Sequence, residues 1–186
     1  MLSFRRILEE NPIVAAVKDE EQLNKALEKD VQVIFVLFGN ILNVKEISKR
    51  ISEKGKIGIV HIDLIEGLSN QEVSLKYLKN ETTFKGIIST KPQIIRGAKK
   101  LGFVAIQRVF IIDSLSLKNL KAHLVEECDA LEMLPGLLFK VIEDLSEKIH
   151  RPLIVGGLIA DKTDVMGALK SGATCISTTR EEIWDM

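Results

Sequence analysis

The sequence predicts an α/β protein, a small (β/α)8 barrel of the TIM type with short connections. Three observations predict it. Eight short apolar runs recur at about 23 residues per unit over 186 residues. The charged stretches between them carry apolar residues at helical spacing. The runs themselves are nearly continuous in hydrophobicity and rich in Val and Ile, as in parallel strands covered by helices. Alternating strand and helix units imply a parallel sheet with right-handed crossovers. An open doubly wound sheet usually has five or six strands, so eight units favour closure. The chain is short against the roughly 250 residues usual for this fold, so its connections must be lean.

The elements follow in order. Residues 3–10 read as a short helix that plugs the N-terminal end of the barrel. The first strand is Ile13–Val17, and Leu23, Ala26 and Leu27 mark the helix after it. Val33–Phe38 is the second, followed by the stripe Val44, Ile47 and Ile51 and by Gly55 as a left-handed cap. Gly58–Leu64 is the third. Gly86–Thr90 is the fourth, with Ile94, Ile95, Ala98 and Leu101 on its helix and Gly102 as the cap. Phe103–Val109 is the fifth, with a stunted helix expected after it. Ala130–Leu134 is the sixth, before the stripe Leu137, Leu138, Val141, Ile142 and Leu145. Pro152–Leu158 is the seventh; Asp161 or Thr163 caps the next helix, and Gly172 follows it. Thr174–Thr179 is the eighth, leading into a short helical stretch, Arg180–Trp184. With no linker or low-complexity tract, residues 1–186 read as one domain.

Bulk composition excludes several function classes. Basic and acidic residues balance at 26 each, so no global field captures nucleic acid, and such a partner must use a local patch. Cys128 and Cys175 form no CxxC pair and read as reduced thiols of a cytoplasmic protein. The start, Met1 to Arg6, lacks the apolar core of a signal peptide, and no stretch approaches the roughly 20 apolar residues of a membrane span. His61, His123 and His150 are scattered, so no metal site is expected. A Walker loop, GxGxxG and GxSxG are all absent.

Strand side chains alternate between faces. Taken as one strand, Gly58–Leu64 turns His61 and Asp63 inward, with Asp63 nearer the C-terminal mouth. The same logic points Lys18, Ser89, Lys91, Gln107, Glu132 and Ser177 inward or onto the rim. Ligand and catalytic groups sit at that end of this fold. A structural network, with Lys91 paired to Asp63 or Glu132, is the plainer reading of the same residues. The last two strands carry the sharper signal. Gly156 and Gly157 end the seventh, and Ser177, Thr178 and Thr179 end the eighth. Barrels often bind a phosphate between these loops, where glycines allow close backbone approach and hydroxyls add donors.

Several segments together match a known family. They are His61-Ile62-Asp63-Leu64-Ile65 with Gly67, Gly86-Ile87-Ile88-Ser89-Thr90-Lys91, Ile106-Gln107-Arg108 leading to Phe110-Ile111-Ile112-Asp113, Glu132-Met133-Leu134-Pro135-Gly136, and Gly156-Gly157. On these the chain resembles the glycerol-3-phosphate-responsive antiterminator family, regulators of glycerol-uptake operons. The resemblance implies a barrel that binds glycerol 3-phosphate and acts on leader mRNA, with no catalytic residue and no cofactor. The phosphate is then expected on Gly156, Gly157, Ser177 and Thr178. From strand geometry rather than the resemblance, Asp63, Glu132, Gln107 and Lys91 are candidates for the glycerol hydroxyls, with Lys18 a further polar rim group. Two positions depart from the family's pattern. Val155 precedes the glycines, and Glu181 sets an acid near the expected phosphate.

RNA would need a basic surface. Lys45, Lys49, Arg50, Lys54 and Lys56 cluster on and after one helix, and Arg96, Lys99 and Lys100 on another. Either cluster also reads as an ordinary solvated face. Aromatic residues make up 5% of the chain, so stacking platforms are few. A homo-oligomer is compatible with this picture. The alternative function is a barrel isomerase or lyase acting on a small phosphorylated substrate, with Asp63, Lys91 and Glu132 in acid–base roles.

Overall fold

The computed structural model describes residues 4–186, apart from the side chains at 121–123. Eight parallel strands close into a barrel in chain order: β1 (Ile13–Val17), β2 (Val33–Val36), β3 (Ile57–His61), β4 (Gly86–Ser89), β5 (Val104–Phe110), β6 (Ala130–Leu134), β7 (Leu153–Gly156) and β8 (Cys175–Thr178). The helices are α1 (Phe4–Glu10), α2 (Glu20–Glu28), α3 (Val44–Glu53), α4 (Glu72–Glu81), α5 (Pro92–Lys100), α6 (Ser114–His123), α7 (Phe139–Lys148) and α8 (Lys162–Lys170). Two single 3-10 turns, Ile62–Leu64 and Glu181–Ile183, follow β3 and β8.

The described chain begins with α1. Its Leu8 is fully buried and joins the core inside the barrel, flanked by Phe4 and Ile7. Ser3, the first residue of the predicted plug, lies outside the described residues. The helix after β5 is not stunted; α6 spans 10 residues, set by a capping box between Asp113 and Ser116. Asp161 caps α8 by accepting from the amides of Thr163 and Asp164.

Alternation divides the strands between two cores. Ala15, Ile34, Val60, Ile87, Ala105, Leu131, Val155 and Ile176 pack outward against helices. Val14, Phe35, Ile59, Ile106, Ala130 and Cys175 fill the interior. Two residues further along the same strands, the inward positions are Ala16, Leu37, His61, Arg108, Glu132 and Ser177. The interior therefore turns from apolar to charged in its last tier, at the C-terminal mouth. Val155, on the outer face, does not reach the mouth.

Candidate functional site

The last inward tier of β5, β6 and β8 builds the floor of the mouth. Arg108 and Glu132 stand opposite one another in register. Arg108 Nε donates to Glu132 Oε2 at 2.7 Å, and Nη2 donates to Oε1 at 3.2 Å. Ser177 Oγ donates to the same Oε1 at 2.7 Å. Glu132 is thus held from two sides, and its charge is offset by a guanidinium that is 8% exposed. His61 lies close enough to feel Arg108, Asp63 and Glu132, and its Nδ1 has no hydrogen-bond partner. Burial, aided by the Arg108 charge, holds its pKa down to about 4, so the ring is neutral near pH 7.

Above this floor opens a pocket of about 390 Å³. Its polar lining is Arg108, Glu132, Ser177, Thr178, Thr179 and Arg180, and Gly157 and Leu158 form its edge. Gly157 has φ +73°, and a Cβ there would sit 3.2 Å from Leu134 Cδ2. Leu158 also has positive φ, at 62°, an uncommon conformation for a bulky residue and one that clusters at ligand sites. The Gly157 carbonyl accepts from the Gly136 amide at 3.0 Å, which ties the loops after β6 and β7 together. On the far side, Trp184 is buried and its indole N–H donates to the Thr178 carbonyl at 2.9 Å. The Arg180 amide donates to Thr178 Oγ1 at 3.1 Å. These bonds fix the end of β8 and leave the exposed Arg180 side chain bordering the pocket.

Several predicted site residues are brought together here and others are not. Gly157, Ser177, Thr178 and Glu132 line one pocket. Gly156 lies one step below, inside the strand. A Cβ on it would collide with Ser177 Oγ and stand 2.9 Å from the Ser177 carbonyl, so this glycine serves the β7–β8 contact. Asp63 is not an inward strand residue, because β3 ends at His61 and the chain turns over the rim. Its carboxylate accepts from Ser89 Oγ at 2.8 Å and from the Thr90 amide and hydroxyl at 2.9 and 3.0 Å. It pins that turn to β4 and does not line the pocket. Gln107 points outward, since Ile106 and Arg108 take the inward positions; its Oε1 accepts from the Val125 amide at 2.7 Å. Lys91 sits at the N-terminal cap position of α5, and Lys18 is exposed in an adjoining cleft with Gln22, Thr179 and Arg180. Glu181, the acid expected near the phosphate, is paired with Lys25 of α2 at 3.0 Å, a lysine it shares with Glu21.

Arg108 and Arg180, which line this pocket, and Trp184, which anchors the end of β8, were absent from the sequence-based site. Arg108 adjoins Gln107 in one of the family-matching segments and Trp184 also resembles the family, but neither was assigned a place in the site, and Arg180 lies in a loop with no periodicity to read.

The two basic clusters differ. On α3 and just beyond, Lys45 pairs with Glu81 at 2.9 Å, Lys49 with Glu53 at 3.7 Å, Arg50 with Glu20 at 2.7 Å and Lys54 with Glu28 at 2.7 Å. Lys56 donates to the carbonyls of Lys29 and Val31. On α5, Lys99 pairs with Asp129 at 2.7 Å, whereas Arg96 and Lys100 are exposed and border a groove against α4.

Residues 13–184 match the model of the family described as glycerol-3-phosphate responsive antiterminator. The chain belongs to that family. Among solved structures, it is similar to the glycerol uptake operon antiterminator regulatory protein of Listeria monocytogenes, with a TM-score of 0.86 and 31% identity over 92% of this chain and 94% of that one. A glycerol uptake operon antiterminator-related protein of Thermotoga maritima aligns with a TM-score of 0.82 and 29% identity, over 95% of this chain and 99% of that one. The uncharacterized protein YgcP of Escherichia coli K12 is 41% identical over 97% of this chain and 95% of its own length. Membership in an antiterminator family agrees with the regulator expected from the sequence. Among the described residues no helix is long and apolar enough to cross a membrane.

Proposed function

We propose that this antiterminator-family chain is a cytoplasmic sensor of glycerol 3-phosphate that acts on leader mRNA. The observation that carries the reading is the composition of the mouth pocket. One side offers the Gly157 turn, Thr178, Thr179 and the Arg180 guanidinium, a set suited to a small phosphate. The floor offers Arg108 and Glu132, a donor and an acceptor suited to neighbouring hydroxyls. Arg180 supplies the cation, and Ser177 is no longer a free donor because its hydroxyl already donates to Glu132. Lys18 belongs to the adjoining cleft and reaches a larger ligand only. The enzyme alternative casts Asp63, Lys91 and Glu132 in acid–base roles, but Asp63 is held by Ser89 and Thr90, neither Asp63 nor Lys91 lines the pocket, and Glu132 is ion-paired with Arg108. No turnover is therefore expected across a panel of triose and sugar phosphates. Any product formed at a rate lost in Glu132→Gln would revive that alternative.

Thermal unfolding tests the ligand. At about 100 times its Kd a ligand adds about 2.7 kcal/mol, which for a chain of this size raises Tm by about 5–10 °C. Glycerol 3-phosphate is expected to do so, while glycerol and inorganic phosphate each do far less. Arg180→Ala should weaken binding by about 10- to 100-fold, the loss of one charged hydrogen bond. Gly157→Val should abolish the shift, since a branched side chain at positive φ displaces the turn. An equal shift with glycerol alone would refute the phosphate assignment. Filter binding of the chain's own operon leader tests the second half: affinity must change with glycerol 3-phosphate, and RNA binding that ignores it would count against the sensor.

A further inference from the structure

The α4–α5 groove differs from the α3 surface in how its charge is spent. It holds about 420 Å³ between the two helices, and its polar lining is Asn70, Gln71, Glu72, Gln93, Arg96 and Lys100. Gln93, Arg96 and Lys100 are all exposed and lie three or four residues apart, so they form one stripe along α5. Lys76 and Lys79 stand on α4; Lys79 lies over the Phe103 ring, 4.8 Å from its centre. Glu72 is the single carboxylate lining the groove, and it is paired with Lys76 at 2.8 Å. Lys79, Arg96 and Lys100 form no ion pair among the described residues. The α3 surface carries as many cations, yet four of them are matched one to one by Glu81, Glu53, Glu20 and Glu28.

A polyanion gains most from cations whose counterions are still mobile, because it releases those ions on binding. A cation already paired to a carboxylate offers little of that gain. Arg96 and Lys100 line a groove edged by amide side chains, which donate to phosphate and sugar oxygens without regard to base. Arg96 and Lys100 are separated by about 6 Å along the helix axis, enough for each to meet a different phosphate. From these observations we infer that a single-stranded RNA backbone docks along the α4–α5 groove through Arg96 and Lys100, and that the α3 cluster is not an RNA surface. This rests on the RNA-directed function proposed above.

The test uses the full chain and an end-labelled transcript of its own operon leader, titrated at several salt concentrations. Arg96→Gln with Lys100→Gln should weaken binding about tenfold or more. It should also flatten the slope of log K against log salt by about 1.4, from about 0.7 per single-strand phosphate contact. Lys45→Gln with Lys49→Gln should leave both affinity and slope within twofold of wild type. All variants should keep the glycerol 3-phosphate Tm shift, which shows that they fold and that the mouth is intact. Wild-type binding that survives the α5 pair unchanged, or that falls equally with the α3 pair, overturns the groove assignment and leaves the sensor function standing. A wild type that responds to glycerol 3-phosphate but binds no RNA overturns both. Retention of that wild type on an acidic peptide, lost in the α5 pair, would reassign the groove to a protein partner.

Discussion

Glu132→Leu is expected to destabilise the protein by about 3 kcal/mol, the low end of the range for breaking a buried ion pair from one side. Glu132 is fully buried, and its removal leaves Arg108 charged with neither of its two carboxylate bonds. Ser177 loses its acceptor in the same step. The low end applies because Arg108 borders the mouth and can turn part of its guanidinium toward water. The double variant Arg108→Met with Glu132→Leu should recover most of the loss, since it removes both charges and keeps apolar volume. Urea unfolding measures this as a fall in midpoint at constant m for the single variant and a return for the double. A single variant within about 1 kcal/mol of wild type, or a double no more stable than the single, would contradict a paired, desolvated floor. The double variant should also lose glycerol 3-phosphate binding while remaining folded, because the donor and acceptor assigned to the hydroxyls are both gone.

Acid is expected to weaken the fold through His61 before most carboxylates titrate. Burial and the Arg108 charge lower its pKa from 6.5 to about 4. Between those values the unfolded chain binds a proton that the folded chain does not, so stability rises with pH across the window and is lost as pH falls through it. Above pH 7 the contribution is flat. From pH 7 to pH 5 the loss is about 2 kcal/mol, from the difference in proton binding between the two states. His61→Leu removes the group, so its stability should change less over that interval by about that amount, the other titrating groups being common to both. Chemical unfolding of the two proteins at pH 7 and pH 5 reads the difference directly. Parallel pH dependences would show that the imidazole is protonated freely in the folded barrel, against its burial and orphaned Nδ1.

Much of the site was readable because of where strands begin and how they alternate. Glu132 and Ser177 were placed inward correctly, since β6 and β8 are short and uninterrupted. Asp63 was not, because alternation holds only while the strand lasts, and β3 stops two residues before it. Gln107 and Arg108 exchanged roles for another reason. Both faces of β5 meet apolar cores, so its sequence carries no polar phase to say which residue points in. Arg180 lies in a loop, where no periodicity exists to read.

By itself the sequence determined the strand count, the parallel closure and the family. These depend on local hydrophobic pattern and on motif order, both of which are written along the chain. Tertiary structure alone decided which charges are spent and which remain. Arg50 and Glu20, Arg108 and Glu132, and Lys25 and Glu181 are partners across gaps of 30, 24 and 156 residues. A side chain's charge is local, but its neutralisation belongs to whatever the fold brings within about 4 Å, and no pattern along the chain encodes that distance.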